Sequence, residues 1–157
     1  MKKLEELLAQ HPIFKGLDKE YLQVIAGCAS NVVFREGEQI FKEGDAADYF
    51  YVIRHGRVAL EVFVPQRGPV NILSVEDGDV LGWSWLFPPY KWHFDARAMA
   101  LTRAAAFDGK CLRDKFEKDP RLGYDLMKRF AHVMMERMNV SRLQLLDMYG
   151  KTFPENR

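Results

Sequence analysis

Phe34-Arg35-Glu36-Gly37-Glu38-Gln39-Ile40-Phe41-Lys42-Glu43-Gly44-Asp45-Ala46-Ala47-Asp48-Tyr49-Phe50-Tyr51-Val52-Ile53-Arg54-His55-Gly56-Arg57-Val58 is the stretch that decides the fold. Short runs rich in Val, Ile, Phe and Tyr are cut by glycines at 37, 44 and 56. The same texture extends from Val32 to Phe107, with further glycines at 68 and 78. Val58-Ala59-Leu60-Glu61-Val62-Phe63-Val64 alternates with period two, so Val58, Leu60, Val62 and Val64 share one face of a strand. His55-Gly56 suits a tight hairpin turn, because glycine tolerates positive φ, and Pro65-Gln66-Arg67-Gly68-Pro69 reads as a second hairpin loop. Many short strands with regular turn punctuation predict a sandwich, barrel or jelly roll.

Helical periodicity flanks this block. In residues 1–30, Leu4, Leu7 and Leu8 have helical spacing and Pro12 stops the turn; Asp18 is a plausible N-cap for Lys19 to Gly27, with Tyr21, Leu22, Ile25 and Ala26 as its stripe. In residues 109–148, Lys110 to Lys118 reads as a short helix. Asp119 and Pro120 then open a long one as N-cap and first helical residue, ending near Met148. Met127, Phe130, Met134, Met138, Ser141, Leu145 and Met148 form its stripe, widened by Leu122, Leu126, Val133 and Leu146. That is more apolar surface than a small β domain covers. It predicts a homodimer through paired long helices, the alternative being a helix folded wholly onto its own barrel. Residues 149–157 read as a polar tail. The expectation is one mainly β domain over residues 1–157: helices over 1–30, an antiparallel β-roll or jelly roll over 31–108, then the C-terminal helices.

Composition narrows the function. The 157 residues carry a net charge of +1, too little to draw in nucleic acid or anionic lipid. No segment reads as a signal peptide or a membrane span. Cys28 and Cys111 lie far apart without CxxC pairing, which predicts reduced, mostly buried thiols in a cytoplasmic protein. The four histidines stand in different elements, with no His-x-His or HExxH, and GxSxG, Walker and GxGxxG loops are absent. No enzyme, metal site or cofactor is expected.

All three tryptophans fall in Gly82-Trp83-Ser84-Trp85-Leu86-Phe87-Pro88-Pro89-Tyr90-Lys91-Trp92-His93-Phe94-Asp95. Exposed on a loop, these rings would make a large apolar patch, so they line a pocket, meet a partner, or plug the barrel.

With these elements in order, residues 10 to 148 resemble a cyclic-nucleotide-binding domain, most of all the effector domains of catabolite-activator-type bacterial regulators. The glycine spacing of the opening stretch, its Glu43-Gly44-Asp45 turn, Tyr51-Val52-Ile53 and Gly56-Arg57-Val58 carry the resemblance. It implies a phosphate-binding cassette between the sixth and seventh strands, whose opening Gly78-Asp79-Val80-Leu81-Gly82 matches. In members that bind cyclic AMP, a glutamate after the last glycine accepts from the ribose hydroxyl. A short helical turn offers amides to the phosphate, and an arginine before the seventh strand completes the site. Aligning Ala96 through Leu101 with that strand puts Trp83 at the glutamate position, Phe94 at the arginine position and Asp95 where Ser or Thr is usual.

Both charged anchors are thus replaced. Charge-assisted hydrogen bonds contribute roughly 1.5–3 kcal/mol each, so losing two weakens binding by about 3–6 kcal/mol, a factor on the order of 10² to 10⁴. Strand alternation puts Trp92, Phe94, Ala96 and Ala98 on one side and His93, Asp95 and Arg97 on the other, so Arg97 replaces the lost arginine only if the register slips. The expected site is Gly82, Trp83, Ser84, Trp85, Leu86, Phe94 and Asp95. Trp83 and Trp85 stack on the guest, the amides of Ser84 and Trp85 donate, and Phe94 and Asp95 shape the floor. Such an aromatic recess suits a flat or cationic small-molecule effector, with the Gly82–Tyr90 segment moving against Leu122 and Leu126 when it fills. The alternative is a ligand-free protein-interaction module. Regulators of this kind read DNA through a helix-turn-helix after the long helix; here the chain ends soon after that helix, so no direct DNA binding is expected. Lys128, Arg129, Arg137 and Arg142 are expected on its solvated side.

Overall fold

Tyr49–His55 faces two ways, and the architecture follows from that. The computed structural model describes residues 4–152. They run α1 (Leu4–Ala9), α2 (Lys19–Ala26), β1 (Ala29–Phe34), β2 (Gln39–Phe41), β3 (Tyr49–His55), β4 (Arg57–Val64), β5 (Gly68–Glu76), β6 (Val80–Leu81), a 3₁₀ turn (Ser84–Leu86), β7 (Asp95–Ala98), β8 (Thr102–Asp108), α3 (Gly109–Lys118) and α4 (Pro120–Thr152). Two four-stranded antiparallel sheets form, ordered β1-β8-β3-β6 and β2-β7-β4-β5. This is the expected β-roll with flanking helices.

Successive strand residues point to opposite faces. In β3, Phe50 and Val52 join a core shared with the helices, whereas Ile53 joins the core inside the roll. β8 pairs with β3 in matching register: Phe107 opposes Phe50, Ala105 opposes Val52, and Ala104 opposes Ile53. The sheet is therefore apolar on both faces. One face is covered by Leu8, Phe14, Leu22, Ile25, Leu112, Leu122, Leu126 and Phe130, and the other by Phe41, Val58, Leu60, Trp92 and Ala96.

Four expectations need correction. His55-Gly56 does not join a paired hairpin: β3 belongs to one sheet and β4 to the other, so the chain turns a corner between sheets there. Pro65 to Arg67 does turn the β4–β5 hairpin, which closes at Val64 opposite Gly68. Asp18 caps α2 without a side-chain hydrogen bond; its carbonyl accepts from Leu22 N–H at 3.0 Å instead. Cys28 and Cys111 are joined as a disulfide rather than held as thiols, because β1 and the first turn of α3 bring their Cα atoms to 5.7 Å. α4 runs past Met148 to Thr152, since nothing after Met148 breaks the helix before the described residues end. The rest of the expected tail, 153–157, lies outside the described residues.

Asp119 caps α4 as expected, its Oδ1 accepting from Arg121 N–H at 3.2 Å and Leu122 N–H at 3.3 Å. The predicted stripe divides along the helix. Leu122, Leu126 and Phe130 are buried against the domain, whereas Met138, Leu145, Leu146 and Met148 are exposed. No helix among the described residues is long and apolar enough to cross a membrane.

Candidate ligand site: the cassette between β6 and β7

Gly82, which ends β6, has φ +95°, and a Cβ there would fall 2.4 Å from Trp92 Cη2. Only glycine lets an indole edge lie that close to the main chain. The Trp92 ring is stacked on Phe41 with centroids 3.7 Å apart and planes 8° from parallel. It is 3% exposed, within the core that includes Ile53, Val58, Leu60 and Ala96. Its backbone is fixed to the Gly44 turn: Trp92 N–H donates to Asp45 O at 3.0 Å, and its carbonyl accepts from Gly44 N–H at 2.8 Å. The far end of the cassette is thereby tied to the Glu43-Gly44-Asp45 turn, and a protein ring fills the space behind Gly82.

The three tryptophans have separate surroundings. Trp85 is fully buried on the helix side, stacked on Phe50 at 4.8 Å and edge-on to Phe130 at 5.6 Å. Its expected role as a stacking surface for a guest is therefore corrected: the ring fills the gap between the β1-β8-β3-β6 sheet and α4. Ser84 is buried beside it, and Leu86 packs on the same core. Trp83 is half-buried, with the Arg137 guanidinium carbon 5.0 Å from its ring centroid. Phe94 is half-buried and tilted against Phe41 at 5.9 Å.

The polar candidates are already engaged. Asp95 Oδ1 accepts from Glu43 N–H at 2.8 Å, pinning β7 to the Gly44 turn. The register does not slip: Ala96 and Ala98 are buried, while Arg97 is exposed and its Nε lies 3.3 Å from Glu61 Oε1. Arg97 therefore lies on the strand face opposite Phe94. Of the expected site residues, the structure thus brings Gly82 and Phe94 to the ring stack inside the roll. Ser84, Trp85 and Leu86 turn to the helices, Trp83 meets α4, and Asp95 holds a turn.

Two arginines that sequence reasoning did not place at the site clamp the cassette. Arg113 of α3 donates to Trp85 O at 2.6 Å and lies 4.1 Å from the Tyr90 ring centroid. A Cβ on Gly109 would come within 3.0 Å of Trp85 Cβ, so this glycine allows α3 to approach the cassette closely. Arg137 of α4 donates to Val80 O. Burial pushes its pKa down, partly opposed by Asp79. The expectation of a solvated Arg137 and Arg129 is corrected: Arg129 Nη1 donates to Ile13 O at 2.8 Å and Lys15 O at 2.9 Å. The signal for Arg137 was present, since Leu126, Phe130, Val133 and Arg137 follow at steps of four, three and four. Nothing in the sequence marked Arg113.

A groove of about 810 Å³ runs between α4 and the β5–β6 turn, walled by Pro12, Val75, Asp79, Val133, Glu136 and Arg137. Burial also pushes the Tyr51 hydroxyl up to about 12, so it stays a neutral phenol. Among the described residues no cluster of three or more His, Cys, Asp or Glu is placed to hold a metal.

Comparison with known proteins gives the family. A family model described as the cyclic nucleotide-binding domain matches residues 31–119. Among solved structures, a Geobacter metallireducens GS-15 protein named for cyclic nucleotide binding is 31% identical with a TM-score of 0.77, covering 87% of this chain and 99% of its own. A cyclic nucleotide-binding domain from Methylobacillus flagellatus KT gives a TM-score of 0.78 over 97% of this chain and 84% of its own; at 21% identity it speaks to the fold alone. A CRP-like cAMP-activated global transcriptional regulator of Mycobacterium tuberculosis is 25% identical over 150 residues, 94% of this chain, and the chain spans 66% of that regulator's length. The chain belongs to the cyclic nucleotide-binding domain family.

Proposed function

We propose that this chain is a regulatory domain that does not take cyclic AMP in the family's standard mode. Its small-molecule effector has a flat aromatic body that exchanges with the Trp92 ring. One observation carries the reading: Trp92 lies against Gly82 and stacks on Phe41, so the recess behind the cassette opening already holds an aromatic ring. A sugar-phosphate arriving there meets Trp83 and Phe94 where the family's charged anchors stand, and Asp95 is committed to Glu43. A neutral or cationic aromatic guest replaces one stacked ring by another and needs no counter-ion.

The output runs through the helices that clamp the cassette. Displacing Trp92 frees Gly82 and moves the Trp83–Tyr90 segment, which Arg113 ties to α3 through Trp85 O and Arg137 ties to α4 through the Trp83 ring. The exposed Met138, Leu145, Leu146 and Met148 row on α4 then seats a second copy of the chain, giving a homodimer. A second reading, a ligand-free interaction module, draws support from the near-complete burial of Trp92. Calorimetry with cyclic AMP and cyclic GMP is expected to show no saturable uptake at micromolar concentration, and uptake there overturns the proposal. A thermal-shift screen with indole, aromatic acids and aromatic quaternary amines separates the two readings. A saturable rise supports the effector; no rise from any compound supports the module.

A further inference from the structure

We infer that Cys28 and Cys111 form a reversible thiol–disulfide site that sets how firmly α3 clamps the cassette, with a small thiol–disulfide couple of the glutathione class as co-reactant. The inference does not depend on which effector binds. The disulfide joins residues 83 apart in sequence. Cys28 lies between α2 and β1, and Cys111 is the third residue of α3. Two residues beyond Cys111, Arg113 holds Trp85 O and covers Tyr90, while two residues before it Gly109 abuts Trp85. The covalent staple and the cassette clamp thus share the first turns of one short helix. A change in the anchorage of α3 is felt first at Trp85.

The surroundings suit reversible exchange. Cys111 is half-buried and Cys28 is 8% exposed, so the inference assigns the external attack to the more open residue, Cys111. Cys111 lies in the first turn of α3, where backbone N–H groups favour its thiolate. Two hydrogen bonds hold the backbones together independently of the sulfurs: Asp108 N–H donates to Cys28 O at 2.9 Å, and Cys111 N–H donates to Asp108 Oδ1 at 3.1 Å. The dithiol form therefore keeps the partners adjacent for re-closure. In the reducing direction, a thiolate attacks Cys111 Sγ, the Cys28–Cys111 bond breaks, and Cys28 leaves as thiolate. A second thiolate attacks the outer sulfur of the mixed disulfide and releases Cys111. Two external thiols become one external disulfide, and the protein gains two electrons and two protons. Oxidation by the external disulfide reverses each step.

The test uses the full chain without effector in glutathione buffers of stepped ratio. Free thiols are counted by alkylation and mass spectrometry, and amide exchange is followed through the Trp83–Tyr90 and Gly109–Lys118 segments. The wild type is expected to interconvert under native conditions, with cassette exchange on the order of ten-fold slower in the disulfide form. The double variant Cys28→Ser with Cys111→Ser, which has no thiol left to exchange, should match the dithiol form in every buffer. Equal cassette exchange in the oxidised and reduced wild type overturns the inference, and this comparison needs no variant. A bond that opens only on denaturation, making the pair a fixed staple, overturns it too. Cyclic AMP uptake by the same chain would defeat the proposed effector while leaving this measurement intact.

Discussion

Replacing Trp92 by alanine tests directly whether a protein ring fills the recess. The side chain is 3% exposed, stacked on Phe41 and in contact with Gly82. Burying a tryptophan removes about 200 Å² from water, worth about 5 kcal/mol at 25 cal/mol/Å² as an upper figure. Measured truncations of this kind cost roughly 3–5 kcal/mol. The expected loss is about 4 kcal/mol, a large share of the roughly 5–15 kcal/mol that holds a domain folded. Urea unfolding followed by far-ultraviolet circular dichroism should show the midpoint falling by about 2 M, taking a slope of about 2 kcal/mol/M. Phe87→Ala is the control: its ring is half exposed, and the expected change is within about 0.5 kcal/mol. Indole should then rescue the Trp92→Ala variant, adding about 1.4 kcal/mol at ten times its dissociation constant. A loss below about 1 kcal/mol would refute the reasoning that this ring occupies the recess. A full loss without indole rescue would show that the cassette collapses instead of leaving a guest-sized space.

Other perturbations follow from the same geometry. Gly82→Ala puts a Cβ 2.4 Å from the indole at φ +95°, so a loss of about 2 kcal/mol or more is expected in the same unfolding assay. Met138→Glu and Leu145→Glu, both on exposed stretches of α4, should yield folded monomers by light scattering, and an intact dimer counts against the helix interface. Met134 is unsuited to that test because it packs on the domain's own core. Removing the disulfide by Cys28→Ser should cost up to about 4.5 kcal/mol, from chain entropy for a loop of 83 residues. Burial lowers the pKa of His11 below its ordinary 6.5, so the unfolded chain takes up the proton first as pH falls. His11 therefore favours the fold above pH 6.5, and its contribution is lost progressively below that value. The melting temperature should drop less steeply between pH 6.5 and about 5 in His11→Asn than in wild type.

The roll was legible because turn glycines and period-two runs report local geometry. Gly37, Gly44, Gly68 and Gly78 all carry positive φ where a turn was expected. The corner at Gly56 was misread because a sheet-to-sheet crossing and a hairpin ask the same of a glycine; only the pairing of β3 with β8 and of β4 with β5 distinguishes them. The long helix was legible in extent but not in partition. Its stripe is continuous in sequence, whereas full burial ends at Phe130, Val133 and Met134 pack partly on the domain, and Met138 to Gly150 are exposed. The cassette was the least legible part. Local spacing put Trp83, Trp85 and Trp92 within ten residues, yet the turn at Ser84–Leu86 sends Trp85 to one core and Trp92 to the other. The disulfide was invisible for a related reason, because residues 83 apart meet only once β1 has paired with β8, which sets Ala29 opposite Phe107.

The separation of frame and site also says what an effector must do here. The turn glycines and the two-faced β3–β8 pair build the frame from contacts of the chain with itself, and the cassette is laid over that frame. An open polar recess needs its ligand's charge and hydrogen bonds to be stable against water, whereas a recess closed by Trp92 on Phe41 is satisfied by itself. Any guest must therefore out-compete that stack, worth about 0.5–1.5 kcal/mol beyond area burial, as well as the apolar contacts around it. The penalty lowers apparent affinity by the fraction of molecules in which Trp92 has swung clear. Under the proposed reading a cyclic phosphate bears that penalty and meets Trp83 and Phe94 instead of the family's charged anchors. Under the proposed reading a flat aromatic guest bears it too but recovers the stack on Phe41, and the exchange is ring for ring.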